Sequence, residues 1–523
     1  MIKVFTAVGR VAPLGEGVRF GLIALLAGAW MAIVPAPVPA QEPTAKKAGS
    51  TADAPKGETP PAKDAAKADA PPAKDASKDA ADDDDAKPVV DPFASHKAAA
   101  LDIYKDPNVD GLLDPKKFPE IRAPKAATDE QIAQLKQMAA SPLVAPDANT
   151  ITDVVNGMIG QMTNTRNIQA VLDPTAEKNL KTVQAVQAAT QNLLEPVFTS
   201  RSAKNAAFQT RYNQILLQKL PPVFKHHLIP RIQAMIILAQ SANPDALKVL
   251  LDEIKSPTQT VWVKLWAFRG ITNIKLLTNR LSASQEADAA KAIAEQLGKG
   301  KAWPAWVQYR ALESLTALRQ GFLPTSPRTA DMAAVAFQYL IDDALRPEVR
   351  SQAALALGSM QITSAVPKYN FEIVAYATAQ LGASILDKMV NSFSENPIRA
   401  QQLTTVLVGP VFQAFEGQAG VRDSGLLNNS AVTNKADIQK YFDALKPVAK
   451  AASALIGAPT GQIAALTTDL KAKVAAYKAF LAKSTPAELS LFPNGPTYAA
   501  PAGEAAPPQA AAAPKPGPAG ARP

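Results

Sequence analysis

The stretch Val349-Arg-Ser-Gln-Ala-Ala-Leu-Ala-Leu-Gly358 decides the fold, because three earlier segments of the chain follow the same pattern. Aligned on one small residue, the four segments are spaced by 33, 44 and 42 positions, at Ala234, Ala267, Ala311 and Ala353. A basic or amide residue stands three positions earlier in each, at Arg231, Lys264, Gln308 and Arg350. Because small side chains let helices approach closely, the pattern predicts a repeated helix that packs against its own copies.

The sequence between these copies is helical by the same reasoning. A second amphipathic segment separates successive copies, at 245–254, 287–297 and 330–341. Proline-containing turns punctuate the segments, whereas the strictly alternating apolar and polar runs typical of strands are missing from the sequence. The sequence therefore predicts an all-α body.

The paired segments resemble HEAT and armadillo-type repeats, which are antiparallel helix pairs of about 40 to 47 residues. The resemblance is clearest over 221–367. It implies a right-handed α-solenoid, because one repeat cannot cover its own apolar faces and must stack on the next. Further helical regions are predicted on either side, at 91–220 and 368–493.

Two groups of side chains are candidates for contacting a protein partner. The first group consists of the basic residues of the repeat, Arg231, Lys264 and Arg350. In the family this position often joins an intramolecular polar ladder, so a structural role is the first interpretation. The second group is a cluster of tryptophans, Trp262, Trp266, Trp303 and Trp306. These rings either pack between repeats or form an exposed aromatic platform for a peptide or a glycan.

The segment 106–118 resembles an EF-hand or dockerin-type calcium loop. Oxygen donors fall at loop positions 1, 3, 5, 7 and 9, which are Asp106, Asn108, Asp110, the carbonyl of Leu112, and Asp114. The resemblance implies a calcium-dependent binding module. However, position 12, which normally provides a bidentate glutamate, is Lys117. The alternative is an Asx- and Gly-rich turn that follows a helix around 93–105.

The two ends of the chain differ from its body in composition. Residues 1–40 place positive charges before an apolar run of about 15 residues and small residues after it, which predicts a secretory signal peptide cleaved after Ala40. An uncleaved anchor is the alternative. Residues 41–90 and 494–523 are rich in Ala and Pro and are predicted to be disordered. The mature protein is expected in the periplasm or outside the cell, without a transmembrane domain.

The composition and the missing motifs narrow the functions that remain. The chain has no cysteine and three histidines, so disulfides, thiolate nucleophiles and zinc sites are not expected. No Walker loop, nucleophile elbow or nucleic-acid motif occurs, and the net charge of +9 is compatible with peripheral contact to an anionic envelope. We predict a non-enzymatic scaffold that binds a protein. It is expected to need no cofactor, unless the segment 106–118 binds calcium. The alternative is an envelope enzyme, of glycan-active or lyase type, with its site in 368–493.

Overall fold

The computed structural model describes residues 106–325, 329–363 and 365–499. The predicted signal peptide, the linker, most of the tail and the helix expected around 93–105 lie outside these ranges. Regular secondary structure in the described ranges is helical, apart from isolated β-bridge residues, so the predicted all-α class is confirmed. No helix in these ranges is both long and apolar enough to cross a membrane.

Five helices precede the predicted repeats. Each begins at a Thr, Asp or Asn whose side-chain oxygen accepts a hydrogen bond from a backbone N–H of the first turn, and such a cap is worth about 1 kcal/mol. These helices are α1 (Asp129–Ala140), α2 (Ala148–Thr163), α3 (Thr165–Leu172), α4 (Leu180–Ser202) and α5 (Ala206–Lys219).

The predicted repeat region contains seven helices in two sets. The four aligned segments lie in α6 (Leu228–Ser241), α8 (Val261–Asn273), α10 (Ala305–Leu318) and α12 (Pro347–Ser359), which we call the row helices. Between them in sequence lie α7 (Leu247–Lys255), α9 (Ala283–Lys299) and α11 (Asp331–Ile341). The row helices pack side by side in chain order, and each helix of the second set packs against the row helix that follows it.

Hydrogen bonds between the row helices α6 and α8 join the start of one helix to the start of the other, and the end of one to the end of the other. Arg231, in the first turn of α6, donates to the Gln259 side chain just before α8 over 3.3 Å. Asn273, the last residue of α8, donates to the Ala239 carbonyl near the end of α6 over 3.0 Å. The two helices therefore run parallel. The four aligned alanines are fully buried, so enlarging one would cost about 1–3 kcal/mol.

A left-handed backbone residue recurs at the ends of successive helices. Four non-glycine residues with positive φ follow helices in this part of the chain. Lys204 follows α4, and Ala242 follows α6. Asn279 follows the π-helical turn Ile274–Thr278 after α8, and Arg319 follows α10. They are 38, 37 and 40 residues apart, which is a more constant period than that of the aligned alanines. Since α4 also packs against α6, the side-by-side packing extends one helix upstream of residue 221.

Five helices follow the repeats, namely α13 (Phe371–Ser392), α14 (Pro397–Val406), α15 (Phe412–Glu416), α16 (Lys435–Ile456) and α17 (Ile463–Lys483). Gly358 joins them to the row, because a Cβ atom there would lie 2.3 Å from the Ala414 carbonyl oxygen. Beyond α17, the buried Tyr498 donates its backbone N–H to the Leu489 carbonyl. The folded body thus extends past residue 494, where the tail was predicted to begin.

Candidate functional site

The first turns of the four row helices form what we call the helix-start edge, and a segment that precedes α1 and contains two 3-10 turns crosses part of it. This segment, 106–123, we call the strap. The Asp106 Oδ2 atom accepts a hydrogen bond of 2.7 Å from the Val261 N–H, the first amide of α8. The Asn108 side chain donates to the Pro257 carbonyl over 3.1 Å. Asp106 therefore shares the capping of α8 with Thr260, whose hydroxyl accepts from Val263 N–H.

The predicted calcium donors do not converge on one point. Asp106 and Asn108 bond to the loop before α8, whereas Asp114 accepts from the Lys116 N–H over 3.0 Å. The 3-10 turn Asp110–Leu112 lies between them, with Asp110 exposed. Across the described ranges, no group of three or more His, Asp or Glu side chains could hold a metal ion. The geometry matches the alternative interpretation, an Asx-rich turn.

Two histidines hold the other end of the strap, a role that the sequence did not predict. The His227 Nε2 atom lies 3.2 Å from the Leu113 carbonyl oxygen, and the His226 Nε2 atom lies 3.0 Å from that of Pro119. Because a carbonyl only accepts, both rings carry their proton on Nε2. The His227 Nδ1 atom accepts from the Ile229 N–H and so caps α6. Burial lowers the pKa of both rings, that of His227 to about 4.

Two of the basic candidates, Arg231 and Arg350, are buried and bonded to acceptors within the chain. Arg231 donates to the His226 carbonyl and to the Gln259 side chain. Arg350, two row helices beyond α8, pairs with Asp343 over 2.6 Å and donates to a carbonyl of α11. Their contacts match the structural interpretation that the resemblance implied.

Lys264, the third basic candidate, differs from the two arginines. The residue is 6% exposed, and no described acceptor or carboxylate lies within bonding distance of its Nζ atom. Its Nζ atom lies over the face of Trp303, 5.6 Å from the ring centroid. Burial lowers the pKa of the Lys264 amine, whereas the nearby carboxylates of Asp106 and Glu253 act in the opposite direction.

The tryptophan cluster divides between the interior and the surface. Trp266 is buried, and its indole N–H has no partner among the described residues. Trp262 of α8 stacks on Trp306 of α10, with ring centroids 4.4 Å apart and planes 26° apart. Both of these rings, as well as Trp303, are only partly buried. Such a pair stabilises the α8–α10 contact by about 0.5–1.5 kcal/mol and leaves aromatic surface open beside Lys264.

Gln259 and Glu253 belong to the same edge, and sequence reasoning missed them. The buried Gln259 amide donates to Glu253 over 2.5 Å, while its carbonyl oxygen accepts from Arg231. Burial raises the pKa of Glu253. These residues stand in a loop and in the preceding helix, with no motif spacing between them. Only the Arg231 position, once recognised in the repeat, could have pointed to partners nearby.

A second polar cluster lies in the C-terminal helices, where the enzyme alternative expects its site. The Tyr441 hydroxyl donates to the Ser484 carbonyl over 2.6 Å and lies 3.2 Å from a carboxylate oxygen of Glu372. The Lys440 ammonium lies 3.3 Å from the same oxygen. Tyr441 is fully buried, and burial raises the pKa of its phenol, which stays protonated. The cluster ties α13, α16 and the segment after α17 together.

Comparison with known proteins returns no match, whether to a family model, to a curated protein or to a solved structure. The function therefore has to be inferred from the residues and their geometry. Of the sites described above, the helix-start edge brings together most of the residues that the sequence singled out.

Proposed function

We propose that this chain is an exported, non-enzymatic scaffold that binds a protein partner along its helix-start edge. In this proposal the row helices and their partners form a right-handed α-solenoid of HEAT type, with repeats over 221–367. The side-by-side packing of α6, α8, α10 and α12 supports such a stack. The resemblance of their sequences supports it independently.

The observation that carries the proposal is the stacked Trp262–Trp306 pair. Aromatic rings are enriched where proteins bind one another, because they bury a large area at a small cost in side-chain entropy. This pair sits on two neighbouring repeats and is only partly buried. A partner that covers it would bury apolar surface.

Crosslinking from two positions on intact cells tests the scaffold. A photo-reactive residue in place of the exposed Lys301, just before Trp303, is expected to trap one identified protein. The same residue in place of the exposed Lys291, on α9, serves as the matched control. Trapping at 301 should be lost in the W306A background. Equal trapping from both positions, or none from 301, would contradict the proposal.

Export is tested separately by sequencing the N-terminus of the mature protein. The proposal expects Gln41 as the first residue, with the protein recovered from the periplasm or the medium. Retention of Met1 would instead support the membrane-anchored alternative.

An envelope enzyme is the second candidate, and the cluster of Glu372, Lys440 and Tyr441 is the observation that favours it. A phenol with a carboxylate and an amine beside it can serve acid–base chemistry on a sugar. Against this, Tyr441 has no exposed surface and already donates to the Ser484 carbonyl. If the enzyme candidate holds, Y441F abolishes release of glycan fragments from envelope material without lowering thermal stability. If the cluster is structural, Y441F lowers stability instead.

A further inference from the structure

Two adjacent histidines hold the strap at the start of α6, and both are buried. His226 is 5% exposed and His227 has no exposed surface. Each ring donates from Nε2 to a strap carbonyl, that of Pro119 for His226 and that of Leu113 for His227. The Phe118 ring of the strap packs against both, with centroids 5.5 and 6.2 Å away. In acid, a further proton can therefore go only to the Nδ1 atom of each ring.

Neither Nδ1 atom has an acceptor for that proton. The His227 Nδ1 atom accepts from the Ile229 N–H over 3.2 Å, so protonation would set two donors against each other and remove the cap of α6. The His226 Nδ1 atom is buried and has no hydrogen-bond partner among the described residues, so a proton there would be an unpaired buried donor on a charged ring. A charged His227 would also place a cation at the N-terminus of α6, where the helix dipole disfavours it.

The charged groups around the two rings do not compensate for this proton. Arg231 of α6 acts against protonation of both rings, whereas Asp114, exposed on the strap, favours protonation of His227. The strap and the segments beside it, including α3 next to Pro115–Lys117, carry these other charged residues: Lys116, Lys117, Glu120, Arg166, Lys225 and Glu253. Of the two carboxylates among them, Glu253 accepts from the Gln259 amide, and no hydrogen bond links Glu120 to either ring.

Apart from the two histidines, the strap is bonded to the helices near its two ends. Asp106 accepts from the first amide of α8, and the Ile121 N–H donates to the Thr163 hydroxyl of α2 over 3.1 Å. Between these ends lie the 3-10 turns Asp110–Leu112 and Pro115–Lys117, which bury none of their residues. A segment with so little buried surface can open locally while the helices stay folded.

We infer that the strap is a pH-sensitive cover of the α6 start: protonation of His226 and His227 detaches the segment 109–120, while the row helices stay folded. The two rings then lose their acceptors on the strap, and the Ile229 amide loses its cap. The first turn of α6 becomes open at the helix-start edge under acidic conditions and closed at neutral pH. This inference goes beyond the proposed scaffold function and does not depend on it.

Hydrogen exchange of the full chain at pH 7.5 and pH 5 tests the inference, with labelling times scaled for the pH dependence of free amides. Above pH 6.5, the ordinary pKa of histidine, neutral rings keep the strap closed. As the pH falls towards the folded pKa of His227, about 4, proton binding favours the open strap. Peptides that cover 109–120, and the amide of Ile229, are expected to exchange about tenfold faster or more at pH 5. Peptides of α10 and α12 should keep their rates.

Glutamine variants assign the effect to the two rings. A glutamine side chain can donate to a carbonyl, as the Nε2 atom does, but it does not titrate. The scaled exchange of 109–120 in H226Q/H227Q should therefore be the same at both pH values. H226Q alone leaves the α6 cap in place and should lose part of the pH dependence, so it serves if the double variant fails to fold. H96Q, which replaces the third histidine of the chain, is the matched control and should behave like the wild type.

Three results would overturn the inference. The first is equal scaled exchange of 109–120 at both pH values in the wild type. The second is an undiminished pH dependence in H226Q and in H226Q/H227Q. The third is an acceleration in α10 and α12 as large as that in the strap, which would mean global unfolding instead of local release. Crosslinking at position 301 plays no part in these outcomes, so failure of the scaffold proposal is measured separately.

Discussion

The Asp106 carboxylate caps a helix that begins 155 residues later, through its 2.7 Å hydrogen bond from the Val261 amide. This contact holds the strap to the row of helices. It also shows what the Asx-rich segment does in the folded chain. The Asp106 carboxylate, at position 1 of the resemblance to a calcium loop, accepts a hydrogen bond from the first amide of α8.

Replacing Asp106 is therefore expected to destabilise the protein. D106A removes one acceptor from the α8 start and one charge that interacts favourably with the helix dipole, so the free energy of unfolding should fall by about 1–2 kcal/mol. Urea denaturation followed by circular dichroism measures this. D110A, at an exposed position of the strap, is the control and should change stability by less than about 0.5 kcal/mol.

A calcium titration tests whether the segment 106–118 binds calcium instead of holding the start of α8. With Asp106 and Asn108 bonded to the chain, millimolar calcium should neither release heat in calorimetry nor raise the melting temperature. A clear calcium-dependent rise in wild type that D106A and D110A both abolish would revive the calcium loop.

The pattern around 349–358 was enough to predict an all-α body and the four row helices. The helices α6, α8, α10 and α12 all cover their predicted segments. Such signals are local, because apolar periodicity and turn residues act within one helix. The repeat period, in contrast, is uneven in the sequence, where the aligned alanines are 33, 44 and 42 residues apart. The left-handed helix ends give spacings of 38, 37 and 40, yet they occur at Lys, Ala, Asn and Arg rather than at glycine.

The candidate site was predicted only in part. The Trp262–Trp306 and Lys264–Trp303 contacts join residues that the repeat alignment had already singled out. By contrast, the contacts of the strap with the starts of α6 and α8 span more than a hundred residues, as with His227 and Leu113. Long-range hydrogen bonds of this kind leave no periodicity in a single sequence.

Acidification is expected to destabilise the fold through His227. The folded pKa, about 4, lies below the ordinary value of 6.5. Below pH 6.5 the unfolded chain therefore binds a proton that the folded chain excludes. Stability is complete above pH 6.5, is lost as the pH falls towards 4, and then levels off. One such group contributes a loss on the order of 3 kcal/mol across that window.

Denaturation at pH 7.5, 6 and 5 measures this dependence, with H227N as the comparison. Asparagine keeps an acceptor for the Ile229 amide but cannot titrate, so H227N should show a smaller loss between pH 6.5 and 5. An unchanged slope in H227N would assign the acid sensitivity elsewhere.

Adding one methyl group at Gly358 should disturb the junction between α12 and α15. The new Cβ atom would sit 2.3 Å from the Ala414 carbonyl oxygen, and this neighbour is backbone, which cannot rotate away. G358A is expected to cost about 2–4 kcal/mol in the free energy of unfolding. G298A on α9, where nothing lies within 4 Å of the added atom, should instead stabilise the helix by about 0.5–1 kcal/mol. Equal effects of the two substitutions would contradict the close approach.

The left-handed residue after α4 offers a substitution that should stabilise the protein. Lys204 has φ of +53° and an exposed side chain, and a non-glycine residue in this conformation costs about 1 kcal/mol or more. Part of that gain is offset by the greater freedom of glycine in the unfolded chain. K204G is therefore expected to raise the free energy of unfolding by about 0.5–1 kcal/mol.

The matched control is K291G in the middle of α9, which should lower the free energy of unfolding by about 1 kcal/mol. Thermal denaturation of both variants decides the matter, because a loss of stability in K204G would mean that α4 does not end in a left-handed turn. The recurring period of 38, 37 and 40 residues would then lose its first member.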